Sequence, residues 1–451
     1  MKMKWVMGLT LLAILSGGSL WAQESQKPLT LEESIKIAME RSLTLHSATA
    51  GVAGSEFGRK VALTSFLPKW TGQYSYTRLN ETPTISSIPI RVNISGISVT
   101  LPKITVPAGT EDNYNFSTTV NQPLYAGGSI WANYRLASLG VDVSKTNVET
   151  VKRDLILQVR VAYLTILRAE KFLLVAQQQV KQFEAQLEVT KAFFDVGIVP
   201  KNDVLQAEVS LANAIQGQVK AENDVATAKA AFNILLRRDI NEPFSVVDIL
   251  EYKPFALRFE DCLGEALRQR QEIKSAELSI RQAKEGVKIA RSGFFPTVGL
   301  SGTYSRVGDQ AWVGGSKFED PWSWNIGGLM TFTLGDWGKV SYQVGQSKVN
   351  VTQAEDSKNQ VIDSITLEVK DDYLNVQVAE RNIKVAEKAI EQAEENLRMN
   401  EERYKFQVST QTDVIIAVTL LAQAQTNYYG ALSDFNVAKV QLERSMGRMY
   451  P

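Results

Sequence analysis

A chain of 451 residues with 44% hydrophobic side chains is long enough for two or three ordinary domains and too apolar to be largely disordered. Its 49 basic and 49 acidic residues balance, which argues against nucleic acid or another polyanion as a partner. The only cysteine, Cys262, has no disulfide partner, and the only histidine, His46, has no metal-ligand partner at helical spacing. With no acid–base or nucleophile constellation, we predict neither enzymatic activity nor a cofactor.

The N-terminus has the pattern of a secretory signal peptide. Lys2 and Lys4 precede an apolar run from Trp5 to Leu15, and Ala22 is a small residue suited to cleavage. The run is too short to span a bilayer comfortably, and the alternative is an ordinary N-terminal helix. We predict cleavage near Ala22 and therefore assign residues 1–22 to the signal peptide.

The rest of the sequence contains two related halves. Leu31 to Ala38 resembles Phe259 to Ala266, at an offset of 228 residues. Further along, the offset is 210, and the matched pairs are Leu124 and Leu334, Gly128 and Gly338, Tyr163 and Tyr373, and Asp203 and Asp413. Matches that keep their order over such a length predict an internal duplication. We assign the first repeat to residues 23–250 and the second to residues 251–451.

Both repeats are predicted to contain the same elements in the same order. Each begins with a helix of about 35 residues, followed by a strand, a loop and a second strand. A very long helix, a tight turn and a returning helix complete the repeat. The loop is longer in the first repeat, where residues 80–113 contain four prolines among alternating isoleucines and valines. We predict that this segment is extended and external.

Four segments alternate between apolar and small polar residues, with the period of two expected of a strand. They lie at 70–77, 113–120, 297–304 and 322–333. The fourth is the clearest, because Trp322, Trp324 and Ile326 alternate with serine and asparagine. Apolar residues facing lipid, polar residues facing a wet lumen and aromatic residues at the interfaces are typical of a membrane barrel. The alternative is a soluble sheet lying on a helical core.

Four strands are too few to close a barrel, and open sheet edges are not tolerated in lipid. Membrane strands of this chain would therefore have to be pooled between several copies. Two copies would provide eight strands and a narrow interior, whereas three would provide twelve strands and a pore.

The two long helices are predicted at Ala126–Phe194 and Trp337–Phe406, where no proline occurs, and each spans on the order of 100 Å at 1.5 Å per residue. Apolar residues recur in them every seven positions, which predicts coiled-coil-like packing. The recurring residues are Leu173, Val180, Leu187 and Phe194 in the first repeat and Ile383, Ile390, Leu397 and Tyr404 in the second. Their companions three residues on are Ala176, Phe183, Thr190, Ala386, Ala393 and Asn400.

Three pairs of motifs in this order resemble the TolC-type outer membrane efflux protein family, over about Leu29 to Met449. They are Phe66-Leu-Pro68 with Phe294-Phe-Pro296, Gln122 to Gly128 with Leu334 to Gly338, and Phe194 to Val204 with Tyr404 to Val414. The resemblance implies an α+β membrane protein that assembles as a trimer. Its long antiparallel helices would form a coiled-coil barrel, and four strands per chain would form a transmembrane β-barrel.

The resemblance implies the outer-membrane channel of a tripartite efflux or type I secretion system. Such a protein is a passive trimeric exit duct in the cell outer membrane that extends into the periplasm. Its partners would be two further copies, outer-membrane lipid, a periplasmic adaptor (membrane fusion) protein and an inner-membrane transporter, without nucleic acid. Residues 80–113 would then lie outside the cell, and their partial covering of the channel mouth is a hypothesis. The alternative is a periplasmic or surface coiled-coil structural protein without a pore.

The resemblance also assigns a periplasmic tip to the two helical turns. The residues implied for adaptor docking are Gly197, Ile198, Val199, Val408, Ser409 and Thr410, and those for the periplasmic gate are Asp413, Tyr404 and Asp203. Thr410-Gln-Thr-Asp413 also fits a helix-capping box, so Asp413 could cap its helix, line the pore or do both. Asp203 is predicted to cap its helix rather than to line the pore.

Two residues at the tip depart from the family pattern. Ile416 stands where a second acid can occur, and Ser409 stands where a basic residue can occur. We therefore predict that the gate is not held shut by a charged network and that its closure is simpler or leakier.

Overall fold

The structure is a computed structural model that describes residues 28–448. The predicted signal peptide, residues 1–22, lies outside the described residues. The helices are α1 (Leu31–Arg41), α2 (Leu43–Thr64), α3 (Ser129–Asp195), α4 (Lys201–Leu235), α5 (Phe259–Gln269), α6 (Gln271–Arg291), α7 (Lys339–Lys405) and α8 (Gln411–Ser445). The strands are β1 (Lys69–Arg78), β2 (Thr84–Ser86), β3 (Arg91–Ile94), β4 (Ile97–Thr100), β5 (Thr105–Pro107), β6 (Asp112–Ala126), β7 (Thr297–Gly308) and β8 (Trp322–Thr331). A 3₁₀ turn, Ser292–Phe294, follows α6.

The two long helices form without interruption, as predicted. α3 and α7 each contain 67 residues, and the returning helices α4 and α8 each contain 35. Both long helices start after a glycine in the left-handed region, Gly128 at φ 88° and Gly338 at φ 83°. Glycine adopts this conformation without a steric cost, so the chain can turn sharply out of the sheet and into the helix.

The helix predicted at the start of each repeat is broken, so that prediction was wrong. Ser42 separates α1 from α2, and Arg270 separates α5 from α6, with nearly the same extended backbone (φ −64°, ψ 124° and φ −65°, ψ 126°). Ser42 caps α2 by accepting a hydrogen bond from the Leu45 amide at 3.2 Å. Arg270 instead sends its buried guanidinium into the bundle, where it bonds Glu272 at 2.9 Å and Glu368 at 2.8 Å.

The helices pack side by side in two rows that share α3 and α7. Near the sheet the order is α2, α3, α6, α7, and beyond the middle of the rod it is α4, α3, α8, α7. The main core lies where the rows meet and includes Tyr163, Phe232 and Phe435, all fully buried. Burial raises the pKa of Tyr163 to about 12, and its hydroxyl lies 2.8 Å from the carbonyl oxygen of Val247.

A network of ion pairs borders this core. Arg444 of α8 contacts Asp154 of α3 at 2.9 Å and Glu368 of α7 at 2.7 Å. Arg270 binds the other oxygen of Glu368, so one carboxylate holds two arginines. The network therefore joins α3, α6, α7 and α8 at one level of the bundle.

The predicted heptad seam is followed closely in the second repeat and only partly in the first. Ile383, Leu397 and Tyr404 are buried in α7. In α3, Val180 and Phe183 are buried, but Phe194 is exposed and the preceding Phe193 takes the inward position against Tyr404, with ring centroids 5.6 Å apart. An α-helix turns 3.6 rather than 3.5 residues per turn, so a straight helix drifts off a seven-residue repeat.

The four predicted strand segments form one antiparallel sheet in the order β1-β6-β7-β8. Its register brings the apolar residues of all four strands to one face, since Tyr74 lies opposite Phe116 and Tyr304 opposite Trp324. Hydroxyl groups line the other face, where Thr119 and Thr303 contact each other at 3.2 Å. The helical bundle joins one end of the sheet, and β1 and β8 are its outer strands.

The sheet does not lie on the helices. Tyr74 is 52% exposed, Phe116 36%, Leu300 44% and Trp324 64%, and every residue of β8 is exposed on both faces. A soluble sheet covering a helical core would bury one of its faces. That alternative is therefore wrong.

The long loop of the first repeat is folded into a hairpin. β2 pairs with β5 and β3 with β4, and Ser95 and Gly96 form the turn with φ 51° and 83°. Positive φ at both turn residues is the signature of a type I′ turn, which suits the twist of two paired strands.

Within residues 28–448, none of the helices has the length and hydropathy needed to cross a lipid bilayer.

Candidate functional site

The two helical turns at the far end of the rod have the same backbone geometry. In the first, Gly197 has φ 78° and the Ile198 amide donates to the Phe193 carbonyl at 2.8 Å. In the second, Gln407 has φ 62° and the Val408 amide donates to the Arg403 carbonyl at 2.8 Å. A left-handed residue that ends a helix in this way satisfies its last carbonyl groups. Gln407 does so without the freedom of glycine, at a cost of roughly 1 kcal/mol.

The turns expose apolar side chains in one place at the end of the molecule. Of the predicted docking residues, Ile198 and Val408 are exposed, and Gly197 and Thr410 are exposed as well. Val196 and Phe406, which the sequence reasoning missed, are exposed beside them. Both lie just before the left-handed residue that follows the helix, and this position was the available signal.

Two predicted docking residues are less accessible. Val199 is only 9% exposed and lies inside the first turn. Ser409 is half-buried, and its hydroxyl donates to the Asn400 carbonyl at 3.2 Å. These two side chains therefore contribute more to the stability of the turns than to the exposed surface predicted for adaptor docking.

Asp413 caps α8. Its carboxylate accepts hydrogen bonds from the Thr410 amide and the Thr410 hydroxyl, both at 2.8 Å, and the Thr410 hydroxyl accepts from the Asp413 amide at 3.3 Å. The backbone hydrogen bond from Thr410, its hydroxyl and the positive charge of Arg403 lower the pKa of Asp413. The group is therefore ionised at neutral pH, and it is exposed. The capping box that the sequence predicts is present.

Asp203 does not cap α4, so that part of the prediction was wrong. It occupies the corresponding place in the first turn of α4, but the residue before this helix is Pro200 and no side-chain capping bond is formed. Proline has no hydroxyl to accept from the Asp203 amide and no N–H to donate to its carboxylate. The Asp203 carboxylate still lies in the first turn of α4, where its negative charge interacts favourably with the helix dipole.

Tyr404 lies inside the tip, only 3% exposed. Its hydroxyl is 3.5 Å from that of Thr190, which donates to the Gln411 side chain at 2.9 Å. Gln186 donates to the same oxygen of Gln411 at 2.6 Å. Burial, together with the charge of Asp203, raises the pKa of Tyr404. This buried polar cluster ties α3 to α7 and α8. Sequence reasoning found Tyr404 and Thr190 but missed the two glutamines.

We expect Thr410→Ala to loosen the start of α8. The substitution removes the hydroxyl that accepts from the Asp413 amide, and loss of such a cap typically costs about 1 kcal/mol. Hydrogen exchange of the first-turn amides of α8 should become faster, while Thr410→Ser should leave it unchanged. Equal exchange rates in the alanine and serine variants would contradict this account of the cap.

Sequence comparison decides the family. The family model described as "Outer membrane efflux protein" matches two segments of the chain, residues 34–236 and 262–448. The chain belongs to the outer membrane efflux protein family. The match covers both sets of helices, both pairs of sheet strands and both turns of the tip.

Two curated relatives of the outer membrane efflux protein family show the extent of the similarity. The chain is 23% identical over 439 residues to the outer membrane efflux protein BepC of Brucella suis, covering 97% of this chain and 89% of BepC. It is 23% identical over 335 residues to the outer membrane protein TolC of Escherichia coli, covering 71% of this chain and 67% of TolC.

The fold is that of outer membrane efflux channels. The crystal structure of the CmeC outer membrane channel of Campylobacter jejuni superposes with a TM-score of 0.74 at 17% identity, covering 98% of this chain and 94% of CmeC. At this identity the likeness supports the fold, which is α+β and rich in helix.

Membership in the outer membrane efflux protein family confirms four predictions from the sequence: the family itself, an efflux channel as the function, the outer membrane as the location, and a channel rather than an enzyme. A structural protein without a pore does not fit this family.

Proposed function

We propose that three copies of this chain form one passive exit duct through the periplasm and the outer membrane. The observation that carries the proposal is the open four-stranded sheet, exposed on both sides of its outer strands β1 and β8. Unpaired strand edges are not tolerated in hydrocarbon. If β8 of one copy pairs with β1 of the next, three copies supply twelve strands and close the barrel, with aromatic residues outward and hydroxyl groups towards the lumen.

The helical rows support the same arrangement. α2 and α4 lie at one end of the two rows, and α7 lies at the other end of both. α2 leads into β1 at one side of the chain, and β8 leads into α7 at the other side. The neighbouring copies that pair with β1 and β8 would therefore also pack against α2, α4 and α7. We propose a tunnel of twelve helical columns below the barrel.

We propose that each chain comprises a signal peptide, residues 1–22, and two structural repeats, residues 23–250 and 251–451. Two separate matches to one family model support this division, as do the equal lengths of α3 and α7 and of α4 and α8.

We propose that the exposed apolar residues of the tip bind a periplasmic adaptor protein, which connects the duct to an inner-membrane transporter in an efflux or type I secretion system. Ile198 and Val408 are better positions for a photo-cross-linker than the buried Val199. Recovery of an adaptor from these two positions, and not from Val199, is the expected result. Failure to recover one from either position would contradict the docking assignment.

We propose that Asp413 from each copy forms a ring of negative charge at the tip, with Asp203 near it and Tyr404 fixing the helices behind it. Such a ring favours cations. In planar bilayers, Asp413→Asn should reduce the preference for cations, while Thr410 still caps α8 and the new amide oxygen can still accept from the Thr410 amide. Asp434→Asn, a change at an exposed acid further along α8, should leave selectivity unaltered. Equal selectivity in the wild type and Asp413→Asn would exclude the ring.

The assembly itself is tested by fractionation and conductance. We expect the chain in the outer-membrane fraction, migrating as a trimer in unboiled samples and as a monomer after boiling, and forming channels in planar bilayers. A soluble monomer that forms no channels would overturn the proposal.

A further inference from the structure

The hairpin that rises from the sheet is one continuous two-stranded ribbon. Thr84 pairs with Pro107 and Arg91 with Thr100, and the register is unchanged between them, because the Ser87 amide donates to the Ile104 carbonyl at 2.8 Å. The ribbon extends the β1–β6 hairpin beyond the sheet, at the end opposite the helices.

The outer half of this ribbon is amphipathic. Because side chains alternate along paired strands, each face of a ribbon collects every second residue. One face carries Ile88, Ile90, Val92, Ile97, Val99 and Leu101, which we call the aliphatic face. The opposite face carries Arg91, Asn93, Ser98 and Thr100.

No residue in the described range, 28–448, covers the aliphatic face. All six of its side chains are exposed. Isolated two-stranded hairpins are at best marginally stable in water, and an apolar face of this kind usually marks an interaction surface. We therefore expect the aliphatic face of the ribbon to pack against a partner.

The chemistry of the ribbon favours a protein partner over lipid. Residues 79–111 contain no aromatic residue, whereas the barrel strands β1 and β8 carry the tryptophans and tyrosines typical of a membrane interface. β-Branched aliphatic side chains pack well against one another across paired strands. Arg91 lies on the opposite face, and Lys103, which the register places opposite Ile88, lies at the inner end of the aliphatic face.

The position of the ribbon identifies the partner. It follows β1, the outer strand that pairs with a neighbouring copy in the proposed trimer, so this inference rests on the proposed function. Three-fold symmetry places three identical ribbons around the mouth of the duct. We propose that the three aliphatic faces pack against one another at the axis and form an extracellular cap built from three copies of this chain.

Paired cysteine variants test the cap. Val99→Cys lies on the aliphatic face and Thr100→Cys, the adjacent residue, on the opposite face, and both positions are exposed in the single chain. The native Cys262 is buried, and burial raises the pKa of its thiol, so it should not react. In intact cells, we expect Val99→Cys to be protected from a membrane-impermeant maleimide and to yield covalent dimers with a short bis-maleimide. Thr100→Cys should be labelled and remain monomeric.

A second variant separates packing from local folding. In a background with Val92→Ser and Val99→Ser, the aliphatic face loses its contacts, and Leu101→Cys should change from protected to labelled. Each sample is first checked for trimer migration without boiling. Equal labelling of Val99→Cys and Thr100→Cys in a verified trimer would refute the cap and leave the duct intact. Absence of any trimer would instead refute the duct.

Discussion

Replacing Ile326 with arginine is expected to remove the assembled protein from the outer membrane. Ile326 lies near the middle of β8 on the apolar face, opposite Gly302, and is 69% exposed. A lipid-facing arginine near the bilayer midplane costs about 2–4 kcal/mol per chain, and a trimer would carry this cost three times. The measurement is the amount of heat-modifiable trimer in the outer-membrane fraction.

The adjacent residue provides the matched control. Asn325 lies on the opposite face of the same strand, opposite Thr303. We expect Asn325→Arg to assemble normally and to change the conductance and ion selectivity of the channel, because its side chain would reach the lumen of the proposed barrel. If both arginine variants assemble equally well, the assignment of lipid and lumen faces is incorrect.

Arg444→Ala is expected to lower the stability of the helical bundle by about 2–3 kcal/mol, because it leaves Asp154, Glu272 and Glu368 close together without this positive charge. The value is below that for a fully buried ion pair, since the carboxylates are about one-third exposed and solvent screens them. Thermal unfolding of the detergent-solubilised protein, followed by circular dichroism, measures the change.

Arg168→Ala is the control for this prediction. Arg168 also joins α3 to α8, through a 3.0 Å contact with Asp434, but both side chains are exposed. Exposed pairs contribute about 0–1 kcal/mol. A loss of stability as large as that of Arg444→Ala would show that the bundle responds to any lost contact between these helices and not to the network.

The sequence predicts the large features of this fold because they depend on long, simple patterns. Seven-residue spacing without proline is sufficient to predict α3 and α7, and strict alternation from Trp322 to Ile326 is sufficient to predict β8 and its two faces. The capping box of Thr410 and Asp413 is likewise local, since all of its atoms lie within four residues.

The remaining features depend on contacts that a linear pattern does not contain. The break at Arg270 is accompanied by bonds to Glu368 of α7 and to the carbonyl of Ser445 in α8, both distant in sequence. The failure of Asp203 to cap depends on one neighbour, Pro200, whose effect was overlooked. The cluster around Tyr404 joins three helices, so Gln186 and Gln411 gain their roles only in the folded bundle.

The order of residues in the ion-pair network also has a consequence for biosynthesis. Asp154, Arg270, Glu272 and Glu368 all leave the ribosome well before Arg444, which contacts three of them. Until α8 is present, Arg270 is the arginine of this network that offsets the repulsion among Asp154, Glu272 and Glu368, and we expect the junction of the earlier helices to be loose. Arg444 of α8 brings the second arginine of this network, so we expect chains that terminate before α8 to remain open to periplasmic proteases.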